Sequence, residues 1–422
     1  MFVTRGQFEP TRLLFVEMEL FGELRLVGRL ARTERGILFE YDRDFPRATH
    51  DISPFRLQEP AGSTVIEAPR EPFDGLHGVF DDSLPDGWGR LLMDRKLMEI
   101  GIHPREISNL DRLAWIGNRG MGALRYRPEH RSLVDEEDLP IDLDHLAATS
   151  RRVLAGSAPV VIDELLRVGG SPGGARPKAL IGRENDGDRL IHGMDDLPQG
   201  FSHWLVKFRS RDDSVDAGAV EYAYALMAAE AGVEVPETAL FSSSEGPGHF
   251  AIRRFDRQDD RRIHMHTLAG LLNASQRWPT LTYEDFLKAA MALTRDQRQV
   301  NQAFARMVFN VLAWNRDDHT KNHAFLMLED GKWVLSPAYD LTFSPGAGGE
   351  HAMTIAGEGA RPGEDHLRAS GRAAGISQDI VTHCLERTRE ALSRWREFAS
   401  AAQVSPASAT AIDRVLNGRA RS

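Results

Sequence analysis

The feature of this sequence that most constrains its fold is a change of hydrophobic period along the chain. Residues 11–45 alternate apolar and polar side chains, with Gly22 and Gly36 between the alternating runs, which predicts β-strands joined by turns. From about residue 281 onward, apolar residues recur at helical spacing in three long segments. The chain is therefore predicted to begin with sheet-rich structure and to end with a helical region.

Two further segments near the first strands carry local signals. "FDDSLPDGWGRLLMDRKLMEIG" (80–101) predicts a helix that begins at Asp86 or a neighbour and ends at Gly101. "LAWIGNRGMGALRYRP" (113–128) predicts a short helix, a glycine-rich turn and a strand. The acidic stretch 134–145 predicts a solvated connector, which puts a domain boundary near residues 130 to 150.

The middle of the chain mixes strand patterns with one helix. Four compact apolar runs predict strands: "ARPKALIGRE", "HWLVKFRS", "ETALFSS" and "HFAIRRFDR". "VEYAYALMAAEAG" predicts a helix with Tyr222, Ala225, Leu226 and Ala229 on one face. The predicted division is a β-rich region, an acidic linker, a mixed region and a helical region, at residues 1–130, 131–150, 151–265 and 266–422.

Composition narrows the classes of function. The chain has 422 residues and a net charge of -10, which argues against a nucleic-acid-binding surface along its whole length. Its single cysteine, Cys384, cannot form an internal disulfide and favours a reducing compartment. The apolar run 13–16 is too short for a signal-peptide core, and no run approaches the roughly 18 apolar residues of a membrane span. We therefore expect a cytoplasmic protein without a membrane partner.

A polar cluster, "NRDDHTKN" (315–322), follows the apolar run Phe309–Trp314. One interpretation is a helix end with a solvated, charged cap. The other is the catalytic loop of a phosphotransferase, because Asp317 and Asn322 have the spacing D-x-x-x-x-N. In kinases this spacing places a base beside the acceptor hydroxyl and an amide oxygen beside a metal ion. The spacing is common by chance, so other residues must decide between the two.

A second carboxylate stands downstream in "KWVLSPAYDLTFS" (332–344). The strand Trp333–Leu335 and the following turn would present Asp340 from a loop. Mg²⁺ prefers oxygen ligands and is usually held by one or two carboxylates together with phosphate oxygens. Asp340 is therefore a candidate metal ligand, and the alternative interpretation is an aspartate that stabilises a turn.

A nucleotide site also needs a cation in a strand and a backbone cradle. Lys207 in "HWLVKF" is costly to bury without an anionic partner, although an edge-strand lysine could extend its ammonium group into solvent. Glu221 in the following helix is the predicted partner, and Glu230 is the weaker choice.

The predicted cradle is the glycine-rich segment "GGSPGGARPK" (169–178). It lacks the G-x-G-x-x-G pattern, and Ala175 replaces the lysine of a Walker A motif. Its glycines still allow backbone N–H groups to converge on an anion, whereas the alternative is a flexible hairpin loop. A zinc protease is disfavoured because no glutamate follows the first histidine of "HTKNH".

Six segments in this order resemble HipA-type serine/threonine kinases, the toxins of bacterial type II toxin–antitoxin modules: "GGSPGGARPKALI", "HWLVKF", "EYAYALMAAEAGVEVPET", "IRRFDR", "FNVLAWNRDDHTKNHAFL" and "LSPAYDLTFS". "FDDSLPDGWGRLLMDR" and "WIGNRGMGALRY" resemble the N-terminal subdomain of that family, so the resemblance spans roughly residues 10–400. It implies an α+β, protein-kinase-like fold. In that fold an N-terminal β-rich subdomain and a mixed α/β lobe precede an all-α C-terminal lobe.

The resemblance also implies roles for individual residues. Asp317 would be the catalytic base, and Asn322 and Asp340 would bind Mg²⁺. Lys207 would contact the ATP phosphates, and Ser171 matches a serine that family members autophosphorylate. The implied ATP-binding residues are Gly173, Gly174, Ala175, Arg176, Pro177, Lys178, Lys207, Arg253, Arg254, Phe255, His319, Thr320, Lys321, Asn322, Tyr339 and Asp340.

The sequence departs from the family pattern at two positions. Asp318 follows the predicted base, where the family often has glycine, and Arg253 replaces a glutamate before "RFDR". Asp318 could be mistaken for the base, but only Asp317 has the five-residue step to Asn322. The effect of Arg253 depends on whether the adenine is contacted by backbone groups or by that side chain.

Partners follow from the resemblance alone. It implies a small helix-turn-helix antitoxin (HipB-like) and contact with operator DNA only through that antitoxin. It also implies a protein substrate in translation, an aminoacyl-tRNA synthetase such as the glutamyl enzyme. Two alternatives remain: a small-molecule kinase of the aminoglycoside or choline type, and a non-catalytic antitoxin-binding co-repressor. The β-rich N-terminal region favours the toxin over the former, and the set Lys207, Asp317, Asn322 and Asp340 disfavours the latter.

Overall fold

The computed structural model describes residues 8–130, 141–156, 162–169, 174–193, 196–258, 261–275 and 280–418. The predicted residues Ser171 and Gly173 lie outside these ranges. Within them, none of the helices combines the length and the apolar character that crossing a membrane requires.

The N-terminal region forms an antiparallel five-stranded sheet in the order β4-β3-β2-β1-β5. Phe21 and Gly22 take positive φ angles of 54° and 76°, as a two-residue hairpin between β1 and β2 requires. Three helices lie between the fourth and fifth strands. The strands are β1 Leu13–Leu20, β2 Glu23–Arg32, β3 Ile37–Tyr41, β4 Val65–Glu67 and β5 Arg125–Arg127, and the helices are α1 Gly78–Asp81, α2 Gly87–Glu99 and α3 Asn109–Ile116.

Among the described residues between this sheet and the next lie two helices, α4 Leu143–Leu154 and α5 Ile162–Gly169. The acidic stretch predicted as a connector therefore ends inside a helix, and its residues 134–140 lie outside the described ranges. Asp142 accepts a hydrogen bond of 3.0 Å from the His145 amide and caps α4. The acidic composition of the stretch concealed this helix start.

The middle lobe contains an antiparallel sheet in the order β7-β6-β8-β10-β9, with the long helix α6 between β8 and β9. The predicted face of α6 is buried only in part: Ala225 is buried and Tyr222 is partly buried, whereas Ala229 is exposed. Ala223 and Tyr224, outside the predicted set, are fully buried. This helix is apolar on nearly all sides, so its period could not identify the buried face. The elements are β6 Lys178–Glu184, β7 Leu190–His192, β8 Phe201–Lys207, α6 Ala217–Glu230, β9 Thr238–Phe241 and β10 His249–Arg253.

The C-terminal lobe is mainly helical, but it is not the all-α lobe that the resemblance implied, because it also carries a small antiparallel sheet of three strands in the order β13-β14-β15. A two-stranded ribbon, β11 Arg257–Gln258 and β12 Arg261–Arg262, precedes this lobe. The strands of the C-terminal lobe are β13 His264–Thr267, β14 Ala324–Met327 and β15 Trp333–Leu335. Its helices are α7 Leu268–Leu272, α8 Tyr283–Thr294, α9 Gln297–Leu312, α10 Glu364–Ala373, α11 Gln378–Ser393, α12 Trp395–Ala401 and α13 Pro406–Gly418.

The N-terminal sheet and the C-terminal lobe share one hydrophobic core. Leu14 and Phe39 of the sheet belong to the same buried cluster as Phe304 of α9 and Phe325 of β14. The N-terminal region is therefore packed against the lobe that carries the predicted catalytic loop.

Candidate active site

The loop after α9 separates the two adjacent aspartates. Asp317 is exposed, whereas Asp318 is fully buried. The Asp318 carboxylate accepts hydrogen bonds from the Tyr283 hydroxyl at 2.7 Å and the Ala352 amide at 2.8 Å, and His351 Nδ1 lies 2.8 Å away. Asp318 thus anchors the loop, and Asp317 is the carboxylate that an acceptor hydroxyl could approach from solvent.

Asn322 closes the same loop in a short 3-10 turn, Thr320–Asn322. Its side-chain amide nitrogen donates to the Asp317 carbonyl at 2.8 Å. That bond fixes the amide plane and leaves the amide oxygen on the opposite side as a candidate ligand. The Asn315 amide lies 3.4 Å from the Asp340 carbonyl, which links this loop to the one carrying Asp340.

Three charged groups from different elements meet beside the loop. The Lys207 ammonium, at the end of β8, lies 2.5 Å from an Asp340 carboxylate oxygen and also donates to Glu221 of α6. Glu230, the weaker candidate partner, pairs instead with Arg394 at 2.7 Å. Lys207 is therefore held between two carboxylates, as in an ion-pair arrangement that positions a phosphate-binding lysine.

This pairing sets the protonation of the cluster. Burial alone would raise the pKa of the Asp340 carboxyl, but the Lys207 ammonium outweighs burial and holds that pKa well below its usual range. Burial would lower the pKa of Lys207, but Asp340 and Glu221 raise it above its usual range. Asp340 is thus an ionised carboxylate at neutral pH, as a ligand for a hard cation must be. Its φ of 57° lies in the left-handed region, where strain is common at functional sites.

The described part of the phosphate loop begins at Gly174. Its φ is 96°, and a Cβ atom there would lie 2.3 Å from the Lys178 ammonium nitrogen, so this cation lies against the loop backbone. Burial, together with the nearby Lys207, lowers the pKa of Lys178 to about 8. Arg176 pairs with Asp213 at 3.0 Å and lies 4.0 Å from Glu221. Ala175 and Pro177 complete this short loop before β6.

The segment predicted to lie along the adenine has three different environments. Arg253 is exposed and pairs with Glu237 at 3.2 Å, and Arg254 is buried in contacts of 3.0 and 2.7 Å with Asp256. Both guanidinium groups are therefore committed to protein carboxylates. Phe255, by contrast, lies with its ring centroid 5.5 Å from that of Tyr339, another predicted site residue.

The side chain of Lys321, a predicted ATP contact, pairs with carboxylates of the N-terminal region. Its ammonium lies 3.1 Å from Asp81 and 3.7 Å from Asp86, both in the N-terminal region. Burial would lower the pKa of Lys321, but these carboxylates raise it. Its backbone carbonyl accepts a 2.6 Å hydrogen bond from the Tyr339 hydroxyl. Lys321 thus links the catalytic loop to two carboxylates that sequence reasoning missed, because nothing local in "FDDSLPDG" indicates a distant partner.

Two other loop residues keep polar atoms for a ligand or water. His319 Nδ1 and Thr320 Oγ1 are buried and have no hydrogen-bond partner within the described ranges. Buried polar atoms in native proteins are nearly always satisfied, so orphaned ones indicate a missing ligand or water.

The residues fit ATP and Mg²⁺. Asp340 supplies an ionised carboxylate, and Asn322 supplies an oriented amide oxygen. The Lys178 ammonium lies against the backbone of Gly174, where it could neutralise phosphate charge. The described ranges contain no cluster of three or more His, Cys, Asp or Glu suited to a metal ion. A cation at Asn322 and Asp340 would therefore need oxygens from a nucleotide or water as well.

Comparisons with known families match two parts of the chain. The model for the HipA-like C-terminal domain matches residues 170–395, and that for the HipA N-terminal domain matches residues 19–127. The first of these covers more than half of the chain.

Curated relatives and a solved structure are also similar to this chain. A relative from Sinorhizobium fredii, "Putative kinase Y4dM", is 26% identical over 215 residues, which cover 46% of this chain and 50% of the relative. A Haemophilus influenzae "Putative kinase" is 28% identical over 134 residues, 28% of this chain and 39% of the relative. The chain thus spans half or less of the curated relatives it matches. The fold is similar to HipA of Shewanella oneidensis MR-1, solved with HipB and operator DNA, with a TM-score of 0.65, 18% identity and 96% coverage of both chains.

Proposed function

The chain belongs to the HipA family, and on that premise we propose that it is an ATP- and Mg²⁺-dependent serine/threonine protein kinase acting as a toxin. The observation that carries the proposal is the position of Lys207 between Glu221 and Asp340, beside a loop that exposes Asp317. Cations, an ionised carboxylate and an exposed base are the parts that phosphoryl transfer requires.

Each residue has a distinct role in this mechanism. Lys207 and Lys178 neutralise phosphate charge, and the Gly174 backbone lies over the phosphates. Asn322 and Asp340 would hold Mg²⁺, which when bound supplies further neutralisation of the phosphate oxygens. Asp317 orients the acceptor hydroxyl and accepts its proton. Asp318 and Asn322 keep the loop rigid, so the rate comes mainly from positioning and electrostatic stabilisation.

We propose the partners from the family resemblance alone. The substrate is a translation protein, an aminoacyl-tRNA synthetase such as the glutamyl enzyme, and the inhibitor is a small HipB-like helix-turn-helix antitoxin. The similar Shewanella structure contains HipA together with HipB and operator DNA, which supports an antitoxin and operator DNA as partners. We propose that this chain contacts the DNA only through the antitoxin. With these partners, the proposed location is the cytoplasm.

The direct test is incubation of the purified protein with γ-labelled ATP, Mg²⁺ and a cell lysate, followed by identification of the labelled molecules. We expect label on a protein serine or threonine, and none with Asp317→Asn. Label on an aminoglycoside or choline would replace the proposal with a small-molecule kinase. Absence of Mg-ATP binding in calorimetry, with and without the antitoxin, would favour a co-repressor without catalysis.

We predict autophosphorylation at Ser171, between the pairs Gly169–Gly170 and Gly173–Gly174. Glycine permits a loop to change conformation, and phosphate adds about two negative charges that would repel those of ATP. Intact-mass measurement and peptide mapping should find phosphate on Ser171 in part of the wild-type protein, and that fraction should bind ATP poorly. The Asp317→Asn protein is the control and should carry none; equal phosphate in both proteins would contradict the prediction.

We also predict that use of ATP depends on pH through Lys178. Its pKa of about 8 in the free protein means that the ammonium is present below this pH and is lost above it. Because only the ammonium attracts phosphate, kcat/KM for ATP should fall as pH rises through about 8. Lys178→Arg is the matched variant, since a guanidinium stays charged throughout this range. An identical fall in both proteins would show that another group titrates.

A further inference from the structure

A short segment of the N-terminal region, Asp81–Trp88, contacts both loops of the candidate site. The Trp88 amide donates to the Gly174 carbonyl at 3.0 Å, and the Asp86 carboxylate accepts a hydrogen bond from the Gly174 amide. Both backbone polar groups of Gly174 are thus held by this segment. Asp86 directly precedes α2 but makes no side-chain cap to that helix, and its carboxylate binds the Gly174 amide instead.

Gly87 brings the two backbones into direct contact. Its φ is 38°, and a Cβ atom at this position would lie 2.6 Å from both the Ala175 Cα and the Gly174 carbonyl oxygen. Any larger residue would push the phosphate loop away from the segment. The close approach at Gly87 therefore fixes the distance between the phosphate loop and α2, in addition to the hydrogen bonds that Gly174 makes.

The same segment reaches the catalytic loop. Lys321 lies 3.1 Å from Asp81 and 3.7 Å from Asp86, and the Lys321 carbonyl accepts from the hydroxyl of Tyr339, which directly precedes Asp340. Asp86 is thus placed between the phosphate loop and the catalytic loop. Its carboxylate contacts a backbone donor on one loop and a cation on the other.

The segment is itself anchored in the C-terminal lobe. Asp82 accepts from the Thr267 amide and hydroxyl, each at 2.7 Å, and lies 2.7 Å from His266 Nδ1. On the other side, Trp88 is almost fully buried in a separate hydrophobic cluster that also contains Leu92 of α2 and Trp204 of β8. A support fixed at both ends can hold a glycine loop in one position.

We propose that Asp86 is a positioning residue of the kinase: it holds Gly174 over the ATP phosphates and sets its distance from the catalytic loop. The N-terminal region is then a working part of the nucleotide site. This inference rests on the proposed function for its kinetic consequence, whereas the contact with Gly174 can be tested without any catalysis.

The test compares Asp86→Ala with Asp94→Ala in the full-length protein. Asp94 lies on the same helix but pairs with Arg112 at 2.6 Å inside the N-terminal region, so this control removes a carboxylate at a distance from the loop. Asp86→Ala should raise KM for ATP about tenfold with a smaller change in kcat, which corresponds to about 1.4 kcal/mol. Hydrogen exchange of the peptide containing Gly174 should become faster in this variant only.

Asp86→Asn keeps an acceptor oxygen for the Gly174 amide but loses the charge facing Lys321, so we expect it to restore slow exchange and to recover part of the KM. If Asp86→Ala does not fold, Asp86→Asn provides the test instead. A raised KM for ATP in Asp86→Asn at an unchanged melting temperature would then support the positioning role. Wild-type exchange and wild-type KM in every Asp86 variant that folds would overturn the inference. If the wild-type protein transfers no phosphate, the proposed function fails, while the exchange experiment still tests the contact.

Discussion

Asp317→Asn is expected to reduce phosphoryl transfer by at least about two orders of magnitude without loss of the fold. Asparagine matches the size of aspartate but cannot accept a proton from the acceptor hydroxyl. Asp317 is exposed, and the hydrogen bonds that anchor this loop belong to Asp318, so stability should change little. The measurement is single-turnover transfer from labelled ATP, together with the melting temperature and the affinity for Mg-ATP.

Asp330→Asn is the matched control for this prediction. Asp330 is an exposed aspartate on the turn between β14 and β15, where it pairs with Lys332 at 2.6 Å. Its replacement should leave transfer unchanged. Asp318→Asn removes a fully buried carboxylate with three close partners, and we expect a lower melting temperature. Near-full transfer by Asp317→Asn and a selective loss in a stable Asp318→Asn protein would reverse the assignment of the base.

Asp340→Asn is expected to have an effect of similar size, at least about two orders of magnitude on transfer, because charge is lost where Mg²⁺ would bind. Asparagine tolerates the left-handed φ of 57° at this position, so the backbone need not change. The substitution also removes one of the two carboxylates that hold Lys207. Calorimetry should show weaker binding of ATP, with a larger loss of affinity in the presence of Mg²⁺ than in its absence.

The ion pair of Asp340 with Lys207 also predicts that the stability of the folded protein depends on pH. The pKa of Asp340 is below its usual range in the folded protein, so the unfolded state binds more protons near the ordinary carboxyl pKa. The stabilisation by this carboxylate is therefore present at neutral pH and is lost as pH falls below about 4. The difference in melting temperature between wild type and Asp340→Asn should shrink over that acid range. A difference that stays constant with pH would contradict the ion pair with Lys207.

Local patterns identified much of the fold and the candidate site. The period of two predicted the first strands, and a compact apolar run predicted the strand that ends at Lys207. The predicted strand Trp333–Leu335 is present as well. Spacing within one loop separated Asp317 from Asp318 as the candidate base. Such features are set by residues close in sequence, whose backbone preferences and side-chain directions repeat with the period of the strand or helix.

Contacts between distant segments were decided only by the tertiary structure. The resemblance implies that Lys321 contacts ATP, and only the fold reveals its pairing with carboxylates about 240 residues earlier in the chain. The buried face of α6 depended on which elements cover it, since the helix is apolar on nearly all sides. Asp86 looked like an ordinary helix start and contacts the phosphate loop because the packing of the N-terminal region brings α2 beside Gly174. A sequence pattern records the backbone that each segment prefers, whereas the partner of a buried charge depends on which segments the shared hydrophobic core brings together.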